Sequence, residues 1–191
     1  MPVGKNIQTG KITFGMYARY SHQIVEHITC ENHPPIFDQL ANSLMEFCLK
    51  AKVEPYNEIE HRGQLRYIGF RGNSEGSQIL VILVTLSGKL PFTNLLVKKL
   101  TSEFPAVKGI IQNINRQKGN VILGNETKLL YGSENLDDNL CGLKFRVNYR
   151  SFWQINTRTM EMIIFFLQDF VHPKDVIVDA YCGIGAIGLS L

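Results

Sequence analysis

The chain has 191 residues, of which 45% are hydrophobic and 19% are charged, so it can bury one sizeable core or two small ones. The longest apolar runs fall well short of the ~18 residues that a membrane-spanning helix needs, and residues 1–6 lack the basic and apolar parts of a secretory signal. The net charge of +3 permits an anionic partner without requiring one. These features exclude a membrane-spanning or low-complexity protein and predict a cytoplasmic location.

The first two thirds of the sequence predict strands and helices of an α+β unit. Alternating aromatic and β-branched residues over 11–20 indicate a strand, and apolar residues at steps of three and four after Pro34 and Pro35 indicate a helix over 35–51. Residues 64–71 and 78–86 predict a hairpin around a polar turn. The remaining elements are a helix over 92–103 with Leu95, Leu96, Leu100 and Phe104 on its apolar face, a strand over 107–115 and a short strand over 120–124.

A change of pattern near residue 125 predicts a second domain. Short strand-like segments are followed by helical periodicity over 156–170 and by an apolar stretch over 174–179 (KDVIVD) that is typical of a central parallel strand. We predict that 1–125 form a central α+β domain, with a mostly antiparallel sheet and helices on one face. We predict that 126–191 form linker strands and the start of a doubly wound α/β domain. Because such a domain needs about 100 more residues, we expect the chain to be a fragment of a longer protein.

A glycine-rich segment, Asp179 to Gly188 (DAYCGIGAIG), follows that apolar stretch. Gly183 and Gly185 permit a tight turn and the close approach of a ligand, and Gly188 permits close packing of a following helix. The glycine spacing by itself also fits a dinucleotide loop or a turn that binds nothing. Asp179, however, lies four residues before the first glycine, where a carboxylate suits the ammonium of a methionine moiety better than a pyrophosphate. The sequence therefore favours S-adenosylmethionine over NAD.

Two motifs in this order resemble those of the RNA uracil-5-methyltransferases, enzymes that form 5-methyluridine in ribosomal or transfer RNA. The first is 150–156 (RSFWQIN), which contains an FxQxN element, and the second is 179–188. Upstream, 65–70 (LRYIGF), 107–115 (VKGIIQNIN) and 121–127 (VILGNET) are similar to the central domain of that family. The resemblance covers nearly the whole chain and implies a methyltransferase that uses S-adenosylmethionine to modify rRNA or tRNA.

The resemblance assigns cofactor contacts to Gln154, to Tyr181 and to the loop with Gly183 and Gly185. Asp179 joins these candidates because of its position before the glycines. Gln154 can donate and accept hydrogen bonds to polar atoms of the cofactor, and Tyr181 can cover it with its flat ring. From the residues alone, Gln154 fits equally well as a cap for the helix that follows, and Tyr181 fits a core aromatic at a strand end. Some members of the family have Asn where this chain has Ala186, so a side-chain contact at that position is lost.

The cysteines do not supply the family's catalytic nucleophile. The resemblance places that nucleophile in a Ser-Cys-Asn-Pro segment, which this sequence lacks, and the proton-abstracting base is also not among these residues. We interpret Cys182 as a small buried residue, and Cys48 and Cys141 as core thiols. We therefore expect these 191 residues by themselves to transfer no methyl group.

Cys30 is a separate case, because some relatives use a matching cysteine as the fourth ligand of an iron-sulfur cluster. The three partner cysteines are missing from this sequence, so we expect no cluster in this chain and leave open a cluster in a longer protein. His22, His27 and His33 lie near Cys30, but their spacing matches no zinc pattern. We interpret them as loop histidines and predict no metal site.

Basic residues are unevenly distributed and could contact RNA phosphates, although solvated faces are the simpler interpretation. One group is Lys98, Lys99, Lys108, Arg116 and Lys118, and a second is Lys144, Arg146, Arg150 and Arg158. The first group should give weak, salt-dependent RNA binding if it forms one face. Arg66 and Arg71 point to opposite faces of a strand and cannot both join that face.

Three functions remain open at this stage: an RNA 5-methyluridine methyltransferase, a methyltransferase for another substrate, and a non-catalytic RNA-binding module. The second need not carry residues 152–156, and the third needs only the α+β unit. Because 176–178 are apolar on both faces, we expect residues 157–191 to be loosely ordered, to pair with another copy of the chain or to pack on the central domain. We also expect the cofactor pocket to be incomplete and weak.

Overall fold

A computed structural model describes residues 1–6, 8–26 and 29–191 of the chain. The strands of this part are β1 (Val3–Lys5), β2 (Ile12–Tyr17), β3 (Ile24–Glu26), β4 (Leu65–Gly72), β5 (Ile79–Thr85), β6 (Val107–Ile114), β7 (Glu126–Gly132), β8 (Asn135–Leu140) and β9 (Leu143–Asn148). The helices are α1 (Pro35–Lys50), α2 (Thr93–Glu103) and α3 (Thr157–Gln168). The predicted α+β class is confirmed.

A four-stranded sheet in the order β4-β5-β6-β7 forms the centre of the molecule. The pairs β4/β5 and β6/β7 are antiparallel, and β5/β6 is parallel because α2 carries the chain back across the sheet. The predicted hairpin is β4/β5. The sheet is therefore mixed, with one parallel pair that the mostly antiparallel prediction did not specify.

Strand β5 is buried along its whole length because its two faces serve two different cores. Ile79, Val81 and Leu83 pack with apolar residues of α1 and α2. Leu80, Ile82 and Val84 pack with residues of β8, β9 and α3 on the opposite face. Successive strand side chains point to opposite faces, so one continuous apolar run fills both cores. The central sheet thus lies between a helical layer and a layer made of β8, β9 and α3.

Helix α1 begins after Pro34, with Pro35 at its first position, where the missing amide hydrogen costs nothing. Its buried residues recur at helical spacing: Leu40, Ala41, Leu44, Met45 and Cys48. Helix α2 buries Leu96 and Leu100, but Leu95 is 59% exposed, so the predicted apolar face is narrower than four residues. A second, three-stranded sheet, β1-β2-β3, packs beside α1.

The region after residue 125 is connected to the central sheet through β7, which pairs with β6 in antiparallel register. Strands β8 and β9 form a hairpin that turns at Cys141 and Gly142, both in the left-handed backbone region. Helix α3 packs Met160 and Ile164 into the second core. The division into domains 1–125 and 126–191 stays a prediction. Strand β7, which follows residue 125, pairs with β6, which precedes it, so the central sheet contains residues from both predicted domains.

Two predicted strands are wrong. Residues 120–124 are irregular: the Asn115 side-chain amide donates to the carbonyls of Val121 and Ile122 at 2.6 and 3.0 Å, which replaces strand pairing. Residues 174–179 are also irregular, with Val176 91% and Val178 84% exposed. A strand needs a neighbour to satisfy its backbone, and none of the described strands pairs with this stretch.

The predicted helix after the glycine-rich segment is also absent, because residues 183–190 form successive turns. Ile184, Ala186, Ile187 and Leu191 nevertheless pack against the second core, which contains residues of the central sheet and of β8, β9 and α3. No described helix is both long enough and apolar enough to cross a membrane.

Candidate functional site

A cavity of about 230 Å³ lies between the start of α3 and the glycine-rich segment. Gln154, Asp179, Tyr181 and Gly183 all line it. Gly185 lies in the same turn but not in the cavity wall. Two sequence motifs that are separated by 22 residues, 150–156 and 179–188, therefore meet at one site.

The glycine-rich turn uses the conformational freedom of its glycines. Gly183 has φ of +59° and Gly185 of +79°, a region in which residues with a side chain are strained. Tyr181 also has a positive φ, +66°. The Gly185 amide donates to the carbonyl of Cys182 at 2.8 Å and closes the turn. Backbone strain of this kind clusters at ligand sites.

Asp179 is half-buried at the edge of the cavity, and its carboxylate oxygen Oδ2 accepts a hydrogen bond of 3.2 Å from the Gly188 amide. A Cβ at position 188 would lie 3.2 Å from the same oxygen, so Gly188 packs closely on the Asp179 side chain and not, as predicted, as part of a helix against a strand. Cys182 is exposed and lines the cavity, so its interpretation as a buried residue is wrong.

The segment 152–156 is anchored by its tryptophan. The Trp153 indole N–H donates to Asp138 Oδ2 at 2.8 Å, and the ring packs against Phe145 with centroids 5.2 Å apart. Asn156, not Gln154, caps α3, by accepting a hydrogen bond of 3.0 Å from the Thr159 amide. Gln154 is exposed and faces the cavity, so the capping interpretation of this residue is wrong.

Sequence reasoning missed the apolar wall of the cavity, which includes Trp153, Met160 and Ile184. A signal was available for Trp153, because a tryptophan needs a partner for its N–H when it is partly buried. Tyr181 lies at the rim with its side chain fully exposed. The cavity therefore combines an apolar wall with one carboxylate and one amide.

Three of the five basic residues in the first group already bind carboxylates. Lys99 Nζ lies 2.6 Å from Glu103 Oε1, and this bond raises the pKa of the half-buried lysine. The other two pairs are Lys108 with Asp137 at 3.0 Å and Arg116 with Glu126. Lys98 and Lys118 are exposed and have no ion pair with a carboxylate of the described residues. The predicted basic face is thus reduced to two free charges.

Arg66 is buried and Arg71 is half-buried, so neither side chain forms part of an exposed basic face. Arg66 is 1% exposed, lies over the Tyr56 ring at 4.3 Å, and donates to the carbonyls of Asn115 and Gln117 at 2.8 Å. Arg71 is half-buried and donates to the carbonyl of Asn148 at 3.0 Å, and burial lowers the pKa of its guanidinium. Both arginines therefore connect β4 to other segments of the chain, Arg66 to the segment after β6 and Arg71 to the end of β9.

The cysteines and histidines of the first half form no metal site within 1–6, 8–26 and 29–191. Cys30 is half-buried, and its amide donates to Asp38 Oδ2 at 3.4 Å. His33 lies 2.8 Å from Asp38 Oδ1, and His27 is outside the described residues. Cys30 as an iron-sulfur ligand in a longer protein stays a prediction.

Of the two predicted core thiols, one is fully buried. Cys48 is buried in α1, and burial raises the pKa of its thiol from 9.0 to about 12. Cys141 is only half-buried in the β8/β9 turn, although desolvation also raises its pKa.

Comparison with curated proteins finds relatives over the full chain. Proteins named as uncharacterized RNA methyltransferases from Listeria innocua and Clostridium tetani are each 37% identical over 193 residues, and one from Oceanobacillus iheyensis is 34% identical over 194 residues. The alignments cover all of this chain and 42% of each relative. The chain thus spans less than half the length of these relatives. No family model matches the chain.

A solved structure has the same fold. The tRNA (uracil-54, C5)-methyltransferase of Pyrococcus abyssi, in complex with S-adenosyl-L-homocysteine, superposes with a TM-score of 0.77 at 22% identity. The match covers 98% of this chain and 44% of that protein. The resemblance to RNA methyltransferases that the sequence predicts is therefore confirmed by the curated relatives, and the solved structure supports the α+β class of the predicted fold.

Proposed function

We propose that this chain carries part of the cofactor site of an S-adenosylmethionine-dependent RNA (uracil-5-)-methyltransferase, which forms 5-methyluridine in rRNA or tRNA in the cytoplasm. The observation that carries the proposal is the cavity in which Gln154 meets Asp179 and the glycine-rich turn. Relatives named as RNA methyltransferases, which match the chain over its whole length, support an RNA substrate.

The cavity residues suit the chemistry of S-adenosylmethionine. The Asp179 carboxylate can balance the charge of an ammonium group, and Gln154 can donate and accept hydrogen bonds at once. The apolar wall around Met160 and Ile184 suits the uncharged part of the cofactor. A volume of about 230 Å³ is below the ~300–1,000 Å³ of a complete small-molecule site. These residues therefore form one side of the cofactor site.

The protein's own residues bind and orient in this proposal, and the cofactor supplies the methyl group. Asp179 and the turn from Gly183 hold the methionine end, and Gln154 fixes the position of the remaining polar atoms. Exposed Tyr181 lies at the rim, where its ring can cover a bound cofactor. Cys182 is not proposed as the nucleophile, because it lies in the glycine-rich turn and lacks the Ser-Cys-Asn-Pro context that the resemblance implies.

Calorimetric titration with S-adenosylhomocysteine tests the proposal. We expect measurable binding by the chain, and a loss of at least about tenfold in affinity for Asp179→Asn and Gln154→Ala, because a hydrogen bond to a charged group contributes ~1.5–3 kcal/mol. Asp169→Asn is the matched control, since Asp169 follows α3 and lies outside the cavity. Binding that is equal in all variants would assign the cavity another role.

A further inference from the structure

Asp138, on β8, is a buried carboxylate that the proposed chemistry does not use. It is 3% exposed and accepts four hydrogen bonds. Oδ1 accepts from the Ser74 amide at 2.9 Å, the Ser74 hydroxyl at 2.5 Å and the Asn139 amide at 2.9 Å. Oδ2 accepts from Trp153 Nε1 at 2.8 Å. A buried carboxylate is costly unless such donors compensate it, so this side chain holds several segments in fixed positions.

The contact with Trp153 reaches the cofactor cavity. Trp153 lines the cavity and Asp138 does not, so the hydrogen bond to the indole links Asp138 to the cavity wall. The indole N–H is a donor with no acceptor capacity, and an ionised carboxylate is an acceptor only. The bond therefore has one possible polarity, and it sets the plane of the ring that forms the wall.

We propose that Asp138 is a positioning residue for the cofactor site: it orients Trp153 and, through the chain, the adjacent Gln154. The identity of the ligand, S-adenosylmethionine, rests on the proposed function. Residue 138 lies 15 positions before Trp153 and 64 after Ser74. One carboxylate thus ties the β4/β5 turn to the cavity wall, and the geometry of the wall depends on the central sheet.

The single tryptophan of the chain makes this bond directly observable. In Asp138→Asn, the single side-chain oxygen is needed as the acceptor for the Ser74 amide, the Ser74 hydroxyl and the Asn139 amide. The new NH₂ group therefore takes the place of Oδ2 and faces the indole N–H of Trp153. Two donors then oppose each other, and we expect Trp153 to turn toward water, with a red-shifted emission. We also expect an affinity for S-adenosylhomocysteine about tenfold lower than that of the unchanged chain.

Asp137→Asn is the matched control. Asp137 precedes Asp138 on the same strand but pairs with Lys108 and Arg146 at 3.0 and 3.1 Å. Its substitution should leave the emission maximum and the cofactor affinity unchanged, with far-UV circular dichroism confirming that both variants fold.

A double-mutant comparison separates positioning from general stability. In a Trp153→Phe background the indole donor is gone, so adding Asp138→Asn should reduce affinity by about twofold or less. Trp153→Phe by itself removes the same bond from the other side and serves if Asp138→Asn does not fold.

Unchanged Trp153 emission in folded Asp138→Asn would overturn the inference, and so would equal losses of affinity in the two backgrounds. A different result would separate the two proposals. If the unchanged chain does not bind S-adenosylhomocysteine but the emission of Asp138→Asn is shifted, the proposed function is overturned, and the orientation of Trp153 by Asp138 is retained.

Discussion

Gly188 and Asp179 contact each other at the cavity, where the amide of Gly188 donates to Asp179 Oδ2 at 3.2 Å. A Cβ at position 188 would lie 3.2 Å from that oxygen and 3.4 Å from Asp179 Cβ. This spacing is tighter than an ordinary van der Waals contact. Glycine at position 188 therefore sets where the Asp179 carboxylate can lie.

We expect Gly188→Ala to weaken binding of S-adenosylhomocysteine by about fivefold, because the added methyl group displaces the Asp179 carboxylate by a few tenths of an ångström. Calorimetry gives the affinity. Gly69→Ala is the control, since a Cβ there would lie an ordinary 3.6 Å from Ile82 Cβ, away from the cavity. Equal affinity in Gly188→Ala would show that the Asp179 position does not depend on this glycine.

Gly109 on β6 allows the chain near Ser133 to cross closely, and a Cβ there would overlap the Ser133 carbonyl oxygen. We expect Gly109→Ala to lower the free energy of unfolding by about 3 kcal/mol, because backbone must move on both sides. Urea unfolding followed by circular dichroism measures this. Gly69→Ala should change it by less than about 1 kcal/mol. A small effect at Gly109 would contradict the observed approach of β6 to the segment after β7.

The cysteines should differ sharply in reactivity at pH 8. Burial raises the pKa of the Cys48 thiol to about 12, so it stays protonated and unreactive in the folded chain. Exposed Cys182 should react with iodoacetamide first, and S-adenosylhomocysteine should slow that reaction because Cys182 lines the cavity. Peptide mass analysis over time identifies each site, with urea-unfolded chain as the control for Cys48. Early labelling of Cys48 would contradict its burial.

Charge reversal at Lys118 and at Lys99 should distinguish a lysine that has no carboxylate partner among the described residues from one that is already in an ion pair. Lys118→Glu should weaken RNA binding and reduce the salt slope by about 0.7, the value for one phosphate contact with a single strand. Lys99→Glu should have a smaller effect, because Lys99 already pairs with Glu103 at 2.6 Å and Glu46 at 3.7 Å. Fluorescence anisotropy with a labelled single-stranded RNA at several salt concentrations measures both. An equal loss for the two variants would show that the ion pairs open when RNA binds.

Elements with a strong internal period were determined by the sequence itself. The apolar spacing of α1 and the β4/β5 hairpin with its turn follow from local rules. The two motifs that meet at the cavity were also recognisable from residue order, because short motifs keep their chemistry in one dimension. The alternation in β5 likewise carries the information for both cores.

Tertiary structure decided what depends on a partner distant in sequence. Residues 174–179 have strand composition, yet they are irregular because a strand forms only where neighbouring backbone pairs with it. Cys182 is exposed although it follows an apolar stretch, because that stretch does not pair into a sheet of the described residues that could cover it. The bond between Asp138 and Trp153 joins two elements whose approach depends on the packing of β8 and β9 against the central sheet. Local sequence supplies donors and acceptors, and packing in three dimensions selects which of them meet.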